Sequence, residues 1–202
     1  MTDFPGDHPE PPADLDERSP LVLTVAPGTL FSRIHSQAEG PVFFGKTGRN
    51  RFDAPDGSFG VLYVGFDEHS AFIETFGQDT GIRIVTRRAL EQRHLAHLEL
   101  TEPLNLIDLA TSGGLARIGA DARLLSGSHS IAQRWSAALR NRPSKPAGLV
   151  YPARHDPARS ACALFDLSDS ILRVTNTASL LIPQHAVLLA AILNTYDFGL
   201  LD

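Results

Sequence analysis

Gly60-Val61-Leu62-Tyr63-Val64-Gly65, then Phe66-Asp67, then Glu68-His69-Ser70-Ala71-Phe72-Ile73-Glu74-Thr75-Phe76-Gly77, contains a strand, a helix and the signals that bound both. The apolar run between two glycines reads as a short strand. Asp67 offers a side-chain oxygen to the first free N–H groups of a helix, which places the helix start at Glu68. Gly77 is a natural stop, so the helix is predicted over 68–76. Two side chains do not belong to an ordinary core here. Tyr63 sits in the middle of the strand, and Glu74 lies among Ala71, Phe72, Ile73 and Phe76. A carboxylate in apolar surroundings is costly unless it is paired or opens to a cleft.

Outward from this unit the chain keeps interspersing strands and helices. Thr29-Leu30-Phe31-Ser32-Arg33-Ile34 alternates, with Leu30, Ser32 and Ile34 on one face and Phe31 and Arg33 on the other. Residues 36–58 are rich in Gly, Asn, Asp and Pro and read as a long loop, of the length that often carries function. Downstream, strands are predicted near 82–85, 94–100, 103–109, 148–151, 160–165 and 171–174. A short helix follows the Gly113-Gly114 turn, and longer ones are predicted over 130–139 and 184–195. The order lacks regular βαβ alternation. It predicts an α+β chain, a single compact domain over 20–202 built on a central mixed or antiparallel sheet. Residues 1–19 read as a disordered tail, since Pro5, Pro9, Pro11 and Pro12 stand among acidic residues with little to bury.

Composition removes several function classes. A net charge of −5 and the absence of any basic run argue against direct nucleic-acid binding. Cys162 is the one cysteine, so no internal disulfide or cysteine-based metal cluster is available, and its apolar neighbours make it a small buried hydrophobe. The first residues carry no secretory signal pattern and no apolar run reaches membrane-spanning length, so a cytoplasmic protein is expected. His94 and His97 are three apart on a predicted strand and point to opposite faces, which makes them structural or surface residues rather than metal ligands; no metal is expected.

No dinucleotide-binding glycine motif, phosphate-binding loop, zinc-protease motif or nucleophile elbow is present. What remains is a polar set in apolar elements: Arg33 in a strand, Arg49 and Arg51 in the Gly/Asn-rich loop, Tyr63 and Glu74. Two readings of this set are open. Glu74 could pair with Arg33 or Arg51 as a structural ion pair, with Tyr63 a core aromatic. Alternatively the set could line a cleft for an anionic ligand.

A resemblance adds to this reading. Phe31-Ser32-Arg33-Ile34, Arg51-Phe52-Asp53-Ala54-Pro55, Gly60-Val61-Leu62-Tyr63-Val64 and Ala71-Phe72-Ile73-Glu74-Thr75-Phe76 follow in order, and 148–157 with 162–166 form a late strand pair. This is similar to the RES-domain family over about residues 20–180. The resemblance implies a fold like that of ADP-ribosyltransferases. It also implies a toxin that takes NAD as substrate and cleaves the nicotinamide–ribose bond, with water, phosphate or a protein side chain as acceptor. Glu74, Arg33 and Ser130 would be catalytic, and Arg33, Arg51, Tyr63 and Arg49 would bind NAD. The implied partner is an Xre-like antitoxin; a homo-oligomer and a toxin–antitoxin complex are both open. An ADP-ribosyltransferase acting on a host protein and a non-enzymatic module for a phosphate-bearing metabolite are the alternatives. The sequence departs from the family pattern at Asp53, where the family usually has Asn, and at Ala153, where a serine is common. Ser128 competes with Ser130 for the position of the family serine.

Overall fold

The computed structural model describes residues 9–79, 81–168 and 170–202. Its strands are β1 (Val22–Val25), β2 (Leu30–Ser36), β3 (Val61–Gly65), β4 (Ile84–Thr86), β5 (Arg93–Leu100), β6 (Leu104–Asp108), β7 (Gly148–Ala153), β8 (Asp156–Phe165), β9 (Leu172–Ser179) and β10 (Gly199–Leu201). Its helices are α1 (Glu68–Phe76), α2 (Arg87–Glu91), α3 (Gly114–Ile118), α4 (Arg123–Ser126), α5 (His129–Arg140) and α6 (Ala186–Tyr196). Eight strands form one sheet in the order β1-β6-β7-β8-β3-β2-β5-β9, and β10 pairs with β4 beside it. Among the described residues, the only parallel pair in the large sheet is β6 with β7. Parallel neighbours need a crossover, and α3, α4 and α5 fill it. The expected α+β domain with a central mixed sheet is therefore what the chain forms.

Alternation along the central strands explains the layering. On β8, Ala161, Ala163 and Phe165 join one core cluster while Cys162 and Leu164 join another. The first cluster packs the sheet on α5 through Trp135 and Leu139. A third, with Phe72, Ile73, Leu95 and Ile192, packs α1 and α6 on the sheet. Cys162 is fully buried, and burial pushes its thiol far up, as expected of an inert core residue.

The α1 boundaries fall where its caps predict. Asp67 accepts from the Ser70 N–H at 2.7 Å, the Ser70 hydroxyl closes the reciprocal bond, and the Gly77 N–H bonds the Ile73 carbonyl. The segment expected as a tail differs in part. Residues 1–8 lie outside the described residues, but 9–18 run against α5. The Trp135 indole donates to the Pro9 carbonyl at 2.8 Å, Arg134 meets Glu10, and Leu15 is buried in the first core cluster. The Arg142 guanidinium donates to the carbonyls of Leu15 and Arg18, satisfying the end of a 3-10 turn over Leu15–Glu17. One apolar anchor and a set of carbonyl acceptors suffice to hold a segment whose composition alone suggested none.

Between β2 and β3 the sheet opens. The two strands share a single paired position, Ser32 with Gly65, whereas Val61 at the far end of β3 pairs with Gly45 of the intervening loop. Arg33, the next residue along β2, borders this opening. No helix is long and apolar enough to cross a membrane among the described residues.

Candidate active site

Glu74 shows how the cleft is built. It projects from the last turn of α1, where the helix dipole disfavours a negative charge. One carboxylate oxygen, Oε1, accepts the Arg154 backbone N–H at 2.7 Å, so the β7–β8 turn holds it in place. No side-chain ion pair is formed with any of the described residues. Burial pushes the Glu74 carboxyl up, and the Arg154 N–H together with the charges of Arg154 and Arg51 pull it partly back.

The cleft into which it faces is about 330 Å³ and is lined by residues from eight stretches of chain. Arg33, Arg49, Arg51, Tyr63 and Glu74, all singled out from sequence, border it together. Arg33 donates through Nη1 to the carbonyls of Pro41 and Phe43, at 3.1 and 3.2 Å, and pins the loop in the opening between β2 and β3. Its other donors meet no described residue. Burial pushes its pKa down to about 10, which leaves it charged at neutral pH. Arg51 donates to the Gly127 carbonyl at 2.9 Å and more weakly to that of Leu124, which anchors it to the end of α4. Its pKa is lowered by burial and by the like charge of Arg154, against the pull of Tyr151, Tyr63 and Glu74.

The loop carrying Arg49 and Arg51 is organised by Asp53. Its fully buried carboxylate accepts from the Thr47 hydroxyl, from the N–H groups of Arg49 and Asn50, from the Asn50 amide and from the Tyr63 hydroxyl. The loop is also gripped by α5, whose His129, Gln133 and Ser136 recur at helical spacing and bond the backbone at Arg49, Gly48 and Phe52. The Tyr63 hydroxyl accepts the Phe52 N–H at 2.9 Å and donates to Asp53 at 3.0 Å. Both its bonding capacities serve the loop, and burial with the adjacent Asp53 charge pushes the phenol well up. Tyr63 thus presents its ring, not its hydroxyl, to the cleft.

Ser130 is not brought in. It is exposed on the first turn of α5, its hydroxyl bonds that of Ser128 at 2.9 Å, and neither serine lines the cleft. From that turn His129 reaches the rim instead. Helical spacing alone does not decide which of several neighbouring polar residues faces inward. Residues not singled out from sequence also line the cleft: Ser32, Arg93, Tyr151, Arg154 and His155. Tyr151 had a readable signal, since Gly148-Leu149-Val150-Tyr151 repeats the apolar, mid-strand tyrosine pattern of Gly60 to Tyr63. The arrangement offers several guanidinium groups and one half-buried carboxylate around a common cleft. It suits a ligand with a diffuse negative charge and a centre that develops positive charge.

The RES domain family model matches residues 30–184. A curated relative, "Probable toxin y4kH" of Sinorhizobium fredii, is 36% identical over 93 residues, which are 46% of this chain and 72% of that one. Among solved structures, one chain of the crystal structure of the M. tuberculosis MbcT-MbcA toxin-antitoxin complex has the same fold. It matches with a TM-score of 0.59 and 16% identity, over 83% of this chain and 92% of that one.

Proposed function

This chain belongs to the RES domain family, and on that footing we propose that it is a toxin of a toxin–antitoxin pair whose cleft takes NAD and breaks the bond between nicotinamide and ribose. The observation that carries the reading is Glu74. It is a half-buried carboxylate with no side-chain ion partner among the described residues, held by one backbone N–H, and it faces a cleft whose other charged side chains are arginines or histidines. As the C–N bond breaks, its electron pair leaves with nicotinamide and the ribose gains oxocarbenium character. A carboxylate held ready at that point stabilises the transition state more than the bound substrate, which is the condition for raising kcat. Arg33 and Arg51 offer fixed positive charge to the pyrophosphate, and the Tyr63 ring offers a flat wall to a base. Arg49 contributes charge at the loop. Ser130 has no part in this scheme. Water, phosphate or a protein side chain completes the reaction by attacking the ribose carbon.

The relatives' names, a probable toxin and a toxin-antitoxin complex, support the biological side of the proposal. An Xre-like antitoxin is the partner it calls for. Expression in bacteria without a partner tests it. The wild-type protein should arrest growth and lower cellular NAD, while soluble Glu74→Gln protein should do neither. Normal growth and normal NAD with abundant folded wild-type protein would contradict the proposal and favour a binding module. Transfer of label from NAD to protein would identify an ADP-ribosyltransferase.

A further inference from the structure

Two tyrosines stand on the cleft side of the central sheet. Tyr63 on β3 is paired with Ala163 of β8, and Tyr151 on β7 is paired with Ala161. The two alanines are two residues apart, so both tyrosines rise from the same face, with only methyl groups between them. Their hydroxyls are in opposite situations. That of Tyr63 is consumed by Phe52 and Asp53. That of Tyr151 makes no hydrogen bond among the described residues, and the 7% exposure the residue keeps leaves the hydroxyl open to the cleft. The Tyr151 ring is fixed against Phe52, with centroids 5.1 Å apart. It lines the cleft, and the charges of both Glu74 and Arg51 act on its phenol.

A phenol hydroxyl that opens onto the cleft and meets no partner among the described residues has both its donor and its acceptor capacity free for a ligand seated there. We infer that Tyr151 is a substrate-contacting residue, and that its hydroxyl and the Glu74 carboxylate together grip the vicinal diol of a ribose. The pairing is chemically complementary. The carboxylate only accepts, so it takes the proton of one sugar hydroxyl; the phenol donates to the oxygen of the other. A phosphate alone would satisfy the phenol but be repelled by Glu74, so the pair selects a neutral diol while the arginines hold the charged part. This rests on the NAD reading above for the identity of the whole ligand. Tyr63, which the sequence singles out, is left with its ring as its contribution to the cleft, since its hydroxyl is taken up by the loop.

The test is calorimetric binding of ADP-ribose, which carries the terminal diol, and of ADP, which lacks that sugar. Wild-type and Tyr151→Phe proteins would be compared, because Phe keeps the ring packing on Phe52. Wild-type protein should prefer ADP-ribose. Tyr151→Phe should bind ADP-ribose about tenfold more weakly and ADP unchanged. Equal affinity of the two proteins for ADP-ribose would overturn the assignment, as would a wild-type protein that binds ADP-ribose no better than ADP. Nicotinamide release from NAD is measured on the same preparations. If binding depends on Tyr151 but wild-type protein releases no nicotinamide, the reaction proposed above fails and the contact stands.

Discussion

At the scale of single residues, Glu74 sets the pH behaviour. Burial raises its pKa above the ordinary glutamate range, and Arg154 and Arg51 oppose the rise. The reaction needs the ionised form, so the acid limb of kcat/KM should lie above that range. Arg154→Ala removes a charge that favours ionisation but keeps the backbone N–H, and should move the limb to higher pH. A limb unmoved by Arg154→Ala would show that another group is being titrated. The same shift has a stability consequence. Between the unfolded and folded pKa values the native state binds more protons than the unfolded state. Stability is therefore full below the ordinary glutamate range and declines as pH rises through the folded pKa. Glu74→Gln should remove that decline, so thermal midpoints of the two proteins should diverge in the variant's favour as pH rises to neutrality. Parallel curves would place Glu74 in a solvated, unperturbed setting.

At the scale of elements, the cleft depends on a loop that has little hydrophobic content of its own. Asp53 supplies the missing organisation, with its two oxygens shared among donors from Thr47, Arg49, Asn50 and Tyr63. Asp53→Ala leaves these donors buried and unpaired, which should cost about 3 kcal/mol or more in denaturant unfolding. Asp53→Asn keeps one acceptor oxygen for the backbone N–H groups. Its amide can donate to the Tyr63 oxygen, so the cost should stay within about 1.5 kcal/mol. Equal losses for both variants would mean that the charge, not the bonding pattern, holds the loop.

Local signals made much of this legible. α1 and β3 carry their own caps, glycine bounds and periodicity, and Glu74 and Tyr63 stand out because each breaks an apolar pattern. Arg33 and Arg51 stand out as charges in a strand and a loop, but nothing local says that they meet; the RES resemblance placed them in one site. Other features depend on long-range pairing and leave no periodic trace. The opening between β2 and β3 exists because Val61 pairs with Gly45 instead of β2. The docking of 9–18 rests on Leu15 meeting Trp135 and Arg142, each more than a hundred residues further along the chain. Tyr151 was hidden for the opposite reason, since a tyrosine in an apolar strand reads as core until its hydroxyl is seen to lack a partner.

At the scale of the whole molecule, the overall charge of −5 conceals a positively lined cleft. The acidic residues of the first twenty positions and the outer surface balance arginines that converge from β2, β5, the loop before β3 and the β7–β8 turn. Convergence is produced by topology: β7 and β3 flank β8, the hairpin turn of β7 and β8 meets α1, and α5 holds the loop over them. Field lines in such a recess are focused on a single carboxylate, which gives Glu74 an influence that no count of charges would suggest. The most direct measurement is proton NMR of NAD with purified wild-type and Glu74→Gln proteins, following the nicotinamide ring signals with time. The account predicts that the wild-type protein converts bound nicotinamide signals into those of free nicotinamide while the folded variant leaves them almost unchanged. An unchanged NAD spectrum with folded wild-type protein, or conversion by the variant at the wild-type rate, would contradict it.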